Sequence, residues 1–288
     1  MSLSLSETAL TSSVGSLVAR CLCHPLDTIK SRLQAAGSER LYGSLWRCGA
    51  MTVREEGLRG LYRGLGAAAV VGTPAGMLYF TSYEWSKRAL GTRGFDGGAP
   101  GVHFASGLFA EAVACVVFVP VDVVKERVQV HRDYSGSLQC LGDTARKEGA
   151  IALYRGYGPT LLSFGTFSGL YFALYEKSKA SLGRPGEALP FRDALIAALV
   201  AGGAASFFTA PLDLAKLRLQ VHRGAAEGTA PLRFTDVFLA AWRTRGLRGL
   251  FRGAGARVAF FAPSTAVSMA CFETVKGAFL ARSPRAPE

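Results

Sequence analysis

One eleven-residue pattern, which occurs three times at nearly constant spacing, constrains this chain more than any other feature. Its first copy runs from His24 to Gln34 and contains Pro25, Asp27 and Lys30. The other two copies place the same residue types at Pro120, Asp122, Lys125 and Gln129, and at Pro211, Asp213, Lys216 and Gln220. A repeat of this kind predicts one structural unit per copy, packed against its neighbours.

The composition favours a membrane protein. Of the 288 residues, 49% are hydrophobic and only 19% are charged, whereas about 25% charged residues are usual in soluble domains. The formal net charge of +12 would also suit a nucleic-acid-binding protein. Such proteins concentrate Lys and Arg on one face, but this sequence contains no basic run or RNA-binding motif. We therefore expect no nucleic-acid partner, and we expect the positive charges at the ends of membrane spans.

The six cysteines form no Cys-x-x-Cys pair, so we predict buried, reduced thiols and no metal site. The first nineteen residues contain no Arg, and no basic region or small-residue cleavage site marks a secretory signal. We therefore expect any targeting signal to be internal.

Each repeat contains two long apolar stretches joined by a polar loop. The odd-numbered stretches cover about 7–34, 102–129 and 192–220, and the even-numbered ones cover about 64–87, 156–179 and 253–276. In each loop a short segment, which opens at Tyr42, Tyr134 or Phe234, is suited to a helix lying on a membrane surface. An aromatic-Arg-Gly sequence then ends the loop, at Gly64, Gly156 and Gly253. We predict three domains, at residues 1–91, 99–182 and 190–282.

These three Pro-x-Asp-x-x-Lys segments, each followed downstream by aromatic-Arg-Gly, resemble the mitochondrial carrier family over essentially the whole chain. The resemblance implies an all-α membrane protein with six transmembrane helices. It groups them in three pseudo-threefold-related repeats around a central cavity, each with a short matrix surface helix. It also implies a multi-pass transporter of the mitochondrial inner membrane, although another organelle membrane stays open. The implied partners are a small-molecule substrate and membrane lipid, with cardiolipin favoured, and the implied state is a monomer.

Proline removes a backbone hydrogen-bond donor and bends a helix. We therefore predict kinks that turn the odd-numbered helices toward a common axis, at Pro25, Pro120 and Pro211. Aspartate and lysine three residues apart share one helix face. The resemblance implies a matrix gate in which Asp27 pairs with Lys125, Asp122 with Lys216, and Asp213 with Lys30. It implies glutamine braces for these pairs at Gln34, Gln129 and Gln220.

A second set of charges occurs on the even-numbered stretches and resembles the cytosolic gate of the family. It consists of Glu84 and Lys87, Glu176 and Lys179, and Glu273 and Lys276. Tyr83 and Tyr175 are suited to brace this gate through their hydroxyl groups, whereas Phe272 is not. A gate at each end of a cavity lets a central site face each side in turn. We favour obligatory exchange over a leak.

Substrate contacts in the family lie about halfway along the even-numbered helices. Seven and eight residues past each aromatic-Arg-Gly lie Val71, Gly72, Ser163, Phe164, Phe260 and Phe261. These positions carry no charge, which disfavours a dicarboxylate or an adenine nucleotide. The charges near the predicted site are Arg20, Glu111 and Arg257. Arg20 is the best candidate for an anion contact, whereas Arg257 also suits a structural role and Glu111 also suits helix packing.

Two branches of the family share local sequence with this chain. The segment from Ala110 to Lys125 resembles S-adenosylmethionine carriers, and Ala256-Arg257-Val258 resembles mitoferrins. A metal path needs soft or imidazole ligands, and Gly76 stands where a mitoferrin-like histidine is expected. We rank an S-adenosylmethionine-like or amino-acid-like solute first and a metal ion second. A proton or anion leak and a non-transporting scaffold stay as alternatives.

We find no nucleophile constellation, nucleotide-binding loop or cofactor motif, so we predict no enzymatic activity and no cofactor.

Overall fold

The computed structural model describes residues 5–38, 42–92, 100–182, 190–224, 228 and 232–282. Within its helices, the side chains of residues 5–16, 70–73, 100, 179, 269 and 271–282 lie outside the description. The described chain contains helices and no β-strand, so the predicted all-α class is confirmed. In chain order the α-helices are α1 (Leu5–Gln34), α2 (Leu45–Glu56), α3 (Leu58–Leu61), α4 (Leu65–Gly91), α5 (Pro100–Val130), α6 (Ser137–Lys147), α7 (Tyr157–Leu182), α8 (Phe191–Phe208), α9 (Ala210–Val221), α10 (Phe234–Arg245), α11 (Leu247–Leu250) and α12 (Ala254–Arg282), with a 3-10 helix at Ala150–Tyr154.

The long helices form a closed ring. Helix α1 packs against α12 and α4, α5 packs against α4 and α7, and α8 packs against α7 and α12. The short helices α2, α6 and α10 lie in the loops where the sequence predicts surface helices. The ring therefore encloses a central space that all three repeats line.

The outer surface of the ring is apolar. Large hydrophobic side chains are exposed there at Leu22, Phe104, Phe172 and Phe208. Exposed apolar surface of this extent indicates contact with a membrane or a partner. Within the described residues, three segments are long and apolar enough to cross a bilayer, namely Leu58–Gly91, Gly101–Val130 and Phe191–Phe208.

The third repeat departs from the other two at its proline. Pro25 and Pro120 lie inside the continuous helices α1 and α5, whereas α8 ends at Phe208 and α9 begins just before Pro211. Proline is well tolerated in a first helical turn, where its missing N–H has no intrahelical partner to lose. The third odd-numbered path is therefore two helices joined at Thr209.

The aromatic-Arg-Gly segments tie each repeat to the next. Their arginines donate to main-chain carbonyls at or near the C-terminal ends of α5, α9 and α1. The contacts join Arg63 to Val128 at 2.9 Å, Arg155 to His222 at 2.7 Å and Arg252 to Leu33 at 3.1 Å. Their glycines have φ values between +74° and +80°, a region that favours glycine. A Cβ atom on Gly64 would also lie 3.1 Å from the carbonyl oxygen of Lys125. Both the backbone angle and the close approach therefore require glycine.

Helices α8 and α12 approach each other closely at Gly202. A Cβ atom there would lie 2.6 Å from Thr265 Oγ1. Small residues allow helices in lipid to pack at short range. This contact explains why the third repeat has glycine where the second repeat has Glu111.

Candidate functional site

Three ion pairs between repeats form one boundary of the central cavity. They join Lys125 to Asp27 at 2.7 Å, Lys216 to Asp122 at 2.8 Å and Lys30 to Asp213 at 2.9 Å, from lysine Nζ to a carboxylate oxygen. In that order we name them sector 1–2, sector 2–3 and sector 3–1, after the repeats that they connect. All six residues are buried. The structure thus brings together every charge of the predicted matrix gate, in the pairing that the resemblance implies.

The three glutamines next to this ring do not behave alike. Gln129 Nε2 donates to Asp27 at 3.3 Å and to the hydroxyl of Thr28 at 3.2 Å, and Gln220 Nε2 donates to Asp122 at 3.0 Å. The side-chain amide of Gln34 has no hydrogen-bonding partner among the residues that the structure describes. Hydrogen bonds from glutamine to the ring are therefore present in sectors 1–2 and 2–3 and missing from sector 3–1.

Arg257 lies in sector 3–1 instead. Its guanidinium donates to the carbonyl oxygen of Thr209 at 2.6 Å, and its Nε lies 3.7 Å from Asp213. This carbonyl lies at the junction between α8 and α9, and it also accepts a hydrogen bond from the Asp213 N–H at 3.2 Å. Arg257 is 2% exposed. It thus combines the structural role considered for it from the sequence with a place beside the ring.

A second layer of interactions lies beneath the ring. The arginines Arg32, Arg127 and Arg218 donate to the main-chain oxygens of Gln129, Gln220 and Gln34, at 2.9, 2.9 and 3.1 Å. Arg32 also binds Glu56 through two hydrogen bonds, and Arg127 binds Glu148 in the same way. In the third repeat Arg245 occupies the position of these acids.

Burial alone would raise the pKa of Glu148. The hydrogen bonds and charges of Arg127 and Arg155 outweigh burial and hold this pKa below its ordinary value. The pKa of Glu56 is lowered in the same way, because Arg32 outweighs the effect of burial. Both acids are therefore carboxylates at neutral pH, and each forms an ion pair with its arginine.

A cavity of about 240 Å³ lies against the ring. Six of the predicted substrate contacts line it, namely Arg20, Ser163, Phe164, Arg257, Phe260 and Phe261. Glu111 is not among the lining residues, and its carboxylate lies 3.7 Å from Cys115 Sγ as a hydrogen-bond acceptor. Val71 and Gly72 lie on α4, and their side chains are outside the description.

The cavity wall also contains residues that the sequence analysis missed as contacts. They are His24, Phe118, Glu126, Phe167, Ser264 and Ser268. Ser264 and Ser268 follow Phe260 at intervals of four, so helical periodicity places them on one face, and that signal was available in the sequence. Phe118 and Glu126 lie on α5, where the sequence analysis considered Glu111 but neither of these two residues.

The predicted cytosolic gate is only partly described. The structure records no ion pair between Glu84 or Lys87 and another described residue. Glu176 is exposed, and the side chains of Lys179, Glu273 and Lys276 lie outside the description. The hydroxyl of Tyr83 lies 2.6 Å from His103 Nδ1, and Tyr175 stacks on Tyr171. The cytosolic gate and its tyrosine braces therefore stay predictions.

Comparison with known proteins adds an independent line of evidence. The family model described as mitochondrial carrier protein matches residues 2–94, 98–186 and 187–283. Mitochondrial substrate carrier family protein E of Dictyostelium discoideum is 32% identical, over 94% of this chain and 95% of that protein. The mitochondrial S-adenosylmethionine carrier protein of Danio rerio is 34% identical, over 89% of this chain and 91% of that protein. Mitochondrial citrate transporter C of Aspergillus niger is 32% identical, over 89% of this chain and 85% of that protein.

Proposed function

The chain belongs to the mitochondrial carrier family, and from that premise we propose that it exchanges S-adenosylmethionine or a closely similar solute. By a similar solute we mean one that joins a planar ring to a charged amino acid. As a family member, the protein is an all-α membrane transporter of the mitochondrial inner membrane. The proposal concerns which small molecule it carries and how.

The make-up of the cavity wall carries the proposal. Five phenylalanines line the cavity, at Phe118, Phe164, Phe167, Phe260 and Phe261. Aromatic side chains stack on planar rings and attract cations to their faces. Apart from the three lysine–aspartate pairs, the Asp, Glu, Lys and Arg residues of the described lining are Arg20, Arg257 and Glu126. A ring, a carboxylate and a positive group on one solute would each meet a complementary partner there.

The relatives point to two solute classes. One relative is named for S-adenosylmethionine and another for citrate. A tricarboxylate has no ring to place against five phenylalanines, and its charges would be repelled by Glu126. The four predicted contacts with described side chains at Ser163, Phe164, Phe260 and Phe261 carry no charge. The wall therefore favours the adenosyl compound.

We further propose alternating access between two gates. The ring of three ion pairs would close the matrix side, and its six charges would separate when the cytosolic set forms. A solute drives this change only if it interacts more favourably with the intermediate state than with either closed state. Since an empty cavity would leave the gate paired, we propose exchange rather than leak. The three repeats would act as units at 1–91, 99–182 and 190–282.

The remaining assignments follow the family resemblance. We propose a monomer that binds membrane lipid, with cardiolipin favoured, and that has no enzymatic activity. For the metal-ion alternative, no group of three His, Cys, Asp or Glu residues that could hold an ion occurs in the described part of the chain. Leak and scaffold functions have no observation that favours them over exchange.

Exchange in liposomes tests this proposal. Purified protein is reconstituted into vesicles that contain S-adenosylmethionine, and uptake of labelled S-adenosylmethionine is measured. We expect rapid uptake that depends on the internal solute and is absent from protein-free vesicles. Citrate, ferrous ion and protons are assayed in parallel. Exchange of citrate without exchange of any adenosyl compound would contradict the proposal, and uptake into empty vesicles at the same rate would contradict obligatory exchange.

A further inference from the structure

Glu126 is a buried carboxylate that the three ring pairs do not use. It follows Lys125 in α5, lines the cavity and is only 3% exposed. Its Oε1 accepts a hydrogen bond from Lys125 Nζ at 3.1 Å. Its Oε2 has no hydrogen-bonding partner anywhere in the described residues. A buried carboxylate oxygen without a donor is unfavourable, so this atom is suited to a donor that a solute brings.

Lys125 cannot satisfy Glu126 by itself. Its single ammonium group lies 2.7 Å from Asp27, 3.1 Å from Glu126 and 3.9 Å from Asp122. Lys216 neutralises Asp122 at 2.8 Å. Within ion-pair distance, the three acids around Lys125 therefore share two lysines, which leaves one negative charge in excess at this side of the cavity.

The opposite side of the ring has the reverse balance. There Asp213 faces two cations, Lys30 at 2.9 Å and Arg257 at 3.7 Å. One positive charge is thus in excess in sector 3–1, and one negative charge is in excess beside sector 1–2. A solute with separated charges would be oriented by this difference, with its positive group toward Glu126.

We propose that Glu126 binds the ammonium group of the transported solute. An ammonium carries both the positive charge and the N–H donors that Oε2 lacks, whereas a sulfonium carries the charge alone. Glu126 is then a specificity-determining residue on α5, separate from the contacts expected on α4, α7 and α12. This inference rests on the proposed function in one respect, since it takes the solute to be amino-acid-like.

Competition between two solutes tests the role of Glu126. One is S-adenosylhomocysteine, and the other is its analogue that lacks the α-amino group. Each is used to inhibit exchange of labelled S-adenosylmethionine by wild-type protein, by Glu126→Gln and by Asp143→Asn. Asp143 lies on the surface helix α6 beside Lys147, so its variant controls for loss of a carboxylate elsewhere.

In wild type and in Asp143→Asn, we expect the analogue to inhibit at least about ten-fold more weakly, which is the effect of about 1.4 kcal/mol. In Glu126→Gln we expect S-adenosylhomocysteine to weaken until the two differ by less than about two-fold. A gap that persists in Glu126→Gln would overturn the proposal, as would equal inhibition by both compounds in wild type. Glu126→Asp, which keeps the carboxylate, should keep a preference for the amine if Glu126→Gln fails to fold, and loss of that preference would also overturn it. If wild type exchanges no adenosyl compound at all, the proposed solute fails instead.

Discussion

Sector 1–2 and sector 3–1 of the charged ring contain the same residue types but are held in different ways. In sector 1–2, Asp27 accepts one hydrogen bond from Gln129, and Lys125 lies next to Glu126. In sector 3–1, the amide of Gln34 makes no hydrogen bond to a described residue, and the guanidinium of Arg257 lies beside Asp213. The pair in sector 1–2 therefore has a neutral amide and an additional carboxylate beside it, whereas the pair in sector 3–1 has an additional guanidinium.

The path of the odd-numbered helices accounts for part of this difference. Helix α5 continues through Pro120, so it needs no capping group at that point. The third path is divided at Thr209, whose main-chain carbonyl accepts hydrogen bonds from both the Asp213 N–H and the Arg257 guanidinium. Once Arg257 is held there, its charge also faces Asp213. A single helix break has therefore changed the electrostatics of one third of the ring.

Charge reversal should expose this asymmetry most strongly. We expect Asp27→Lys to abolish exchange, because it places two lysines in contact inside a buried site. Adding Lys125→Asp should restore part of the activity, since the pair is then rebuilt with opposite polarity. The matching swap, Asp213→Lys with Lys30→Asp, should restore much less, because the new lysine would be repelled by Arg257. Exchange rates in liposomes measure both swaps.

Two results of these charge swaps would contradict this account. Equal rescue in the two sectors would show that Arg257 has no electrostatic effect on the ring. The second is a double variant, Asp27→Lys with Lys125→Asp, that keeps the wild-type melting temperature but shows no exchange. That result would count against the pairing of Asp27 with Lys125 as a gate.

The layer beneath the ring should give the next largest effect. Glu148 pairs with Arg127, and their side chains are 2% and 0% exposed, whereas Glu56 is 13% exposed. Removing one partner of a buried ion pair costs about 3–5 kcal/mol. We expect Glu148→Gln to lower the free energy of unfolding by an amount in this range, and Glu56→Gln to lower it less. Thermal unfolding in detergent measures both, and a larger loss for Glu56→Gln would contradict this ranking.

The lowered pKa of Glu148 predicts that the stability of the protein depends on pH. The folded-state pKa of Glu148 lies below its ordinary value of 4.5, so the unfolded chain binds a proton more readily. The stabilisation is complete above the unfolded pKa and is lost as the pH falls through the folded pKa. Below about pH 4.5, the melting temperature of wild type should therefore fall more steeply than that of Glu148→Gln. Parallel slopes for the two proteins would exclude this carboxylate as a source of the dependence.

The ring of helices was predictable from the threefold repeat, and its three pairs were predictable because the repeated motif resembles that of the mitochondrial carrier family. The nearly equal spacing of Asp27, Asp122 and Asp213 along the three copies indicates equivalent places around an axis. The missing hydrogen bond of Gln34 was not predictable, because it depends on the local path of the neighbouring helices rather than on the residue type. Glu126 was also missed, since a residue that varies between repeats gives no repeated signal, and its importance comes from the excess charge around Lys125.

The smallest effect concerns the glutamines. Methionine matches glutamine in length but has no amide, so Gln129→Met removes the hydrogen bonds to Asp27 and Thr28. A hydrogen bond to a charged group contributes about 1.5–3 kcal/mol, and we expect a loss of stability of that order. Gln34→Met should cost nothing or stabilise slightly, because it removes a buried amide with no partner among the described residues. If thermal unfolding shows equal losses for both, Gln34 binds its sector in solution and the two sectors are braced alike. If only Gln129→Met loses stability, the ring is held by glutamine on one side and by a guanidinium on the other, and an identical residue in each repeat does not imply an identical role.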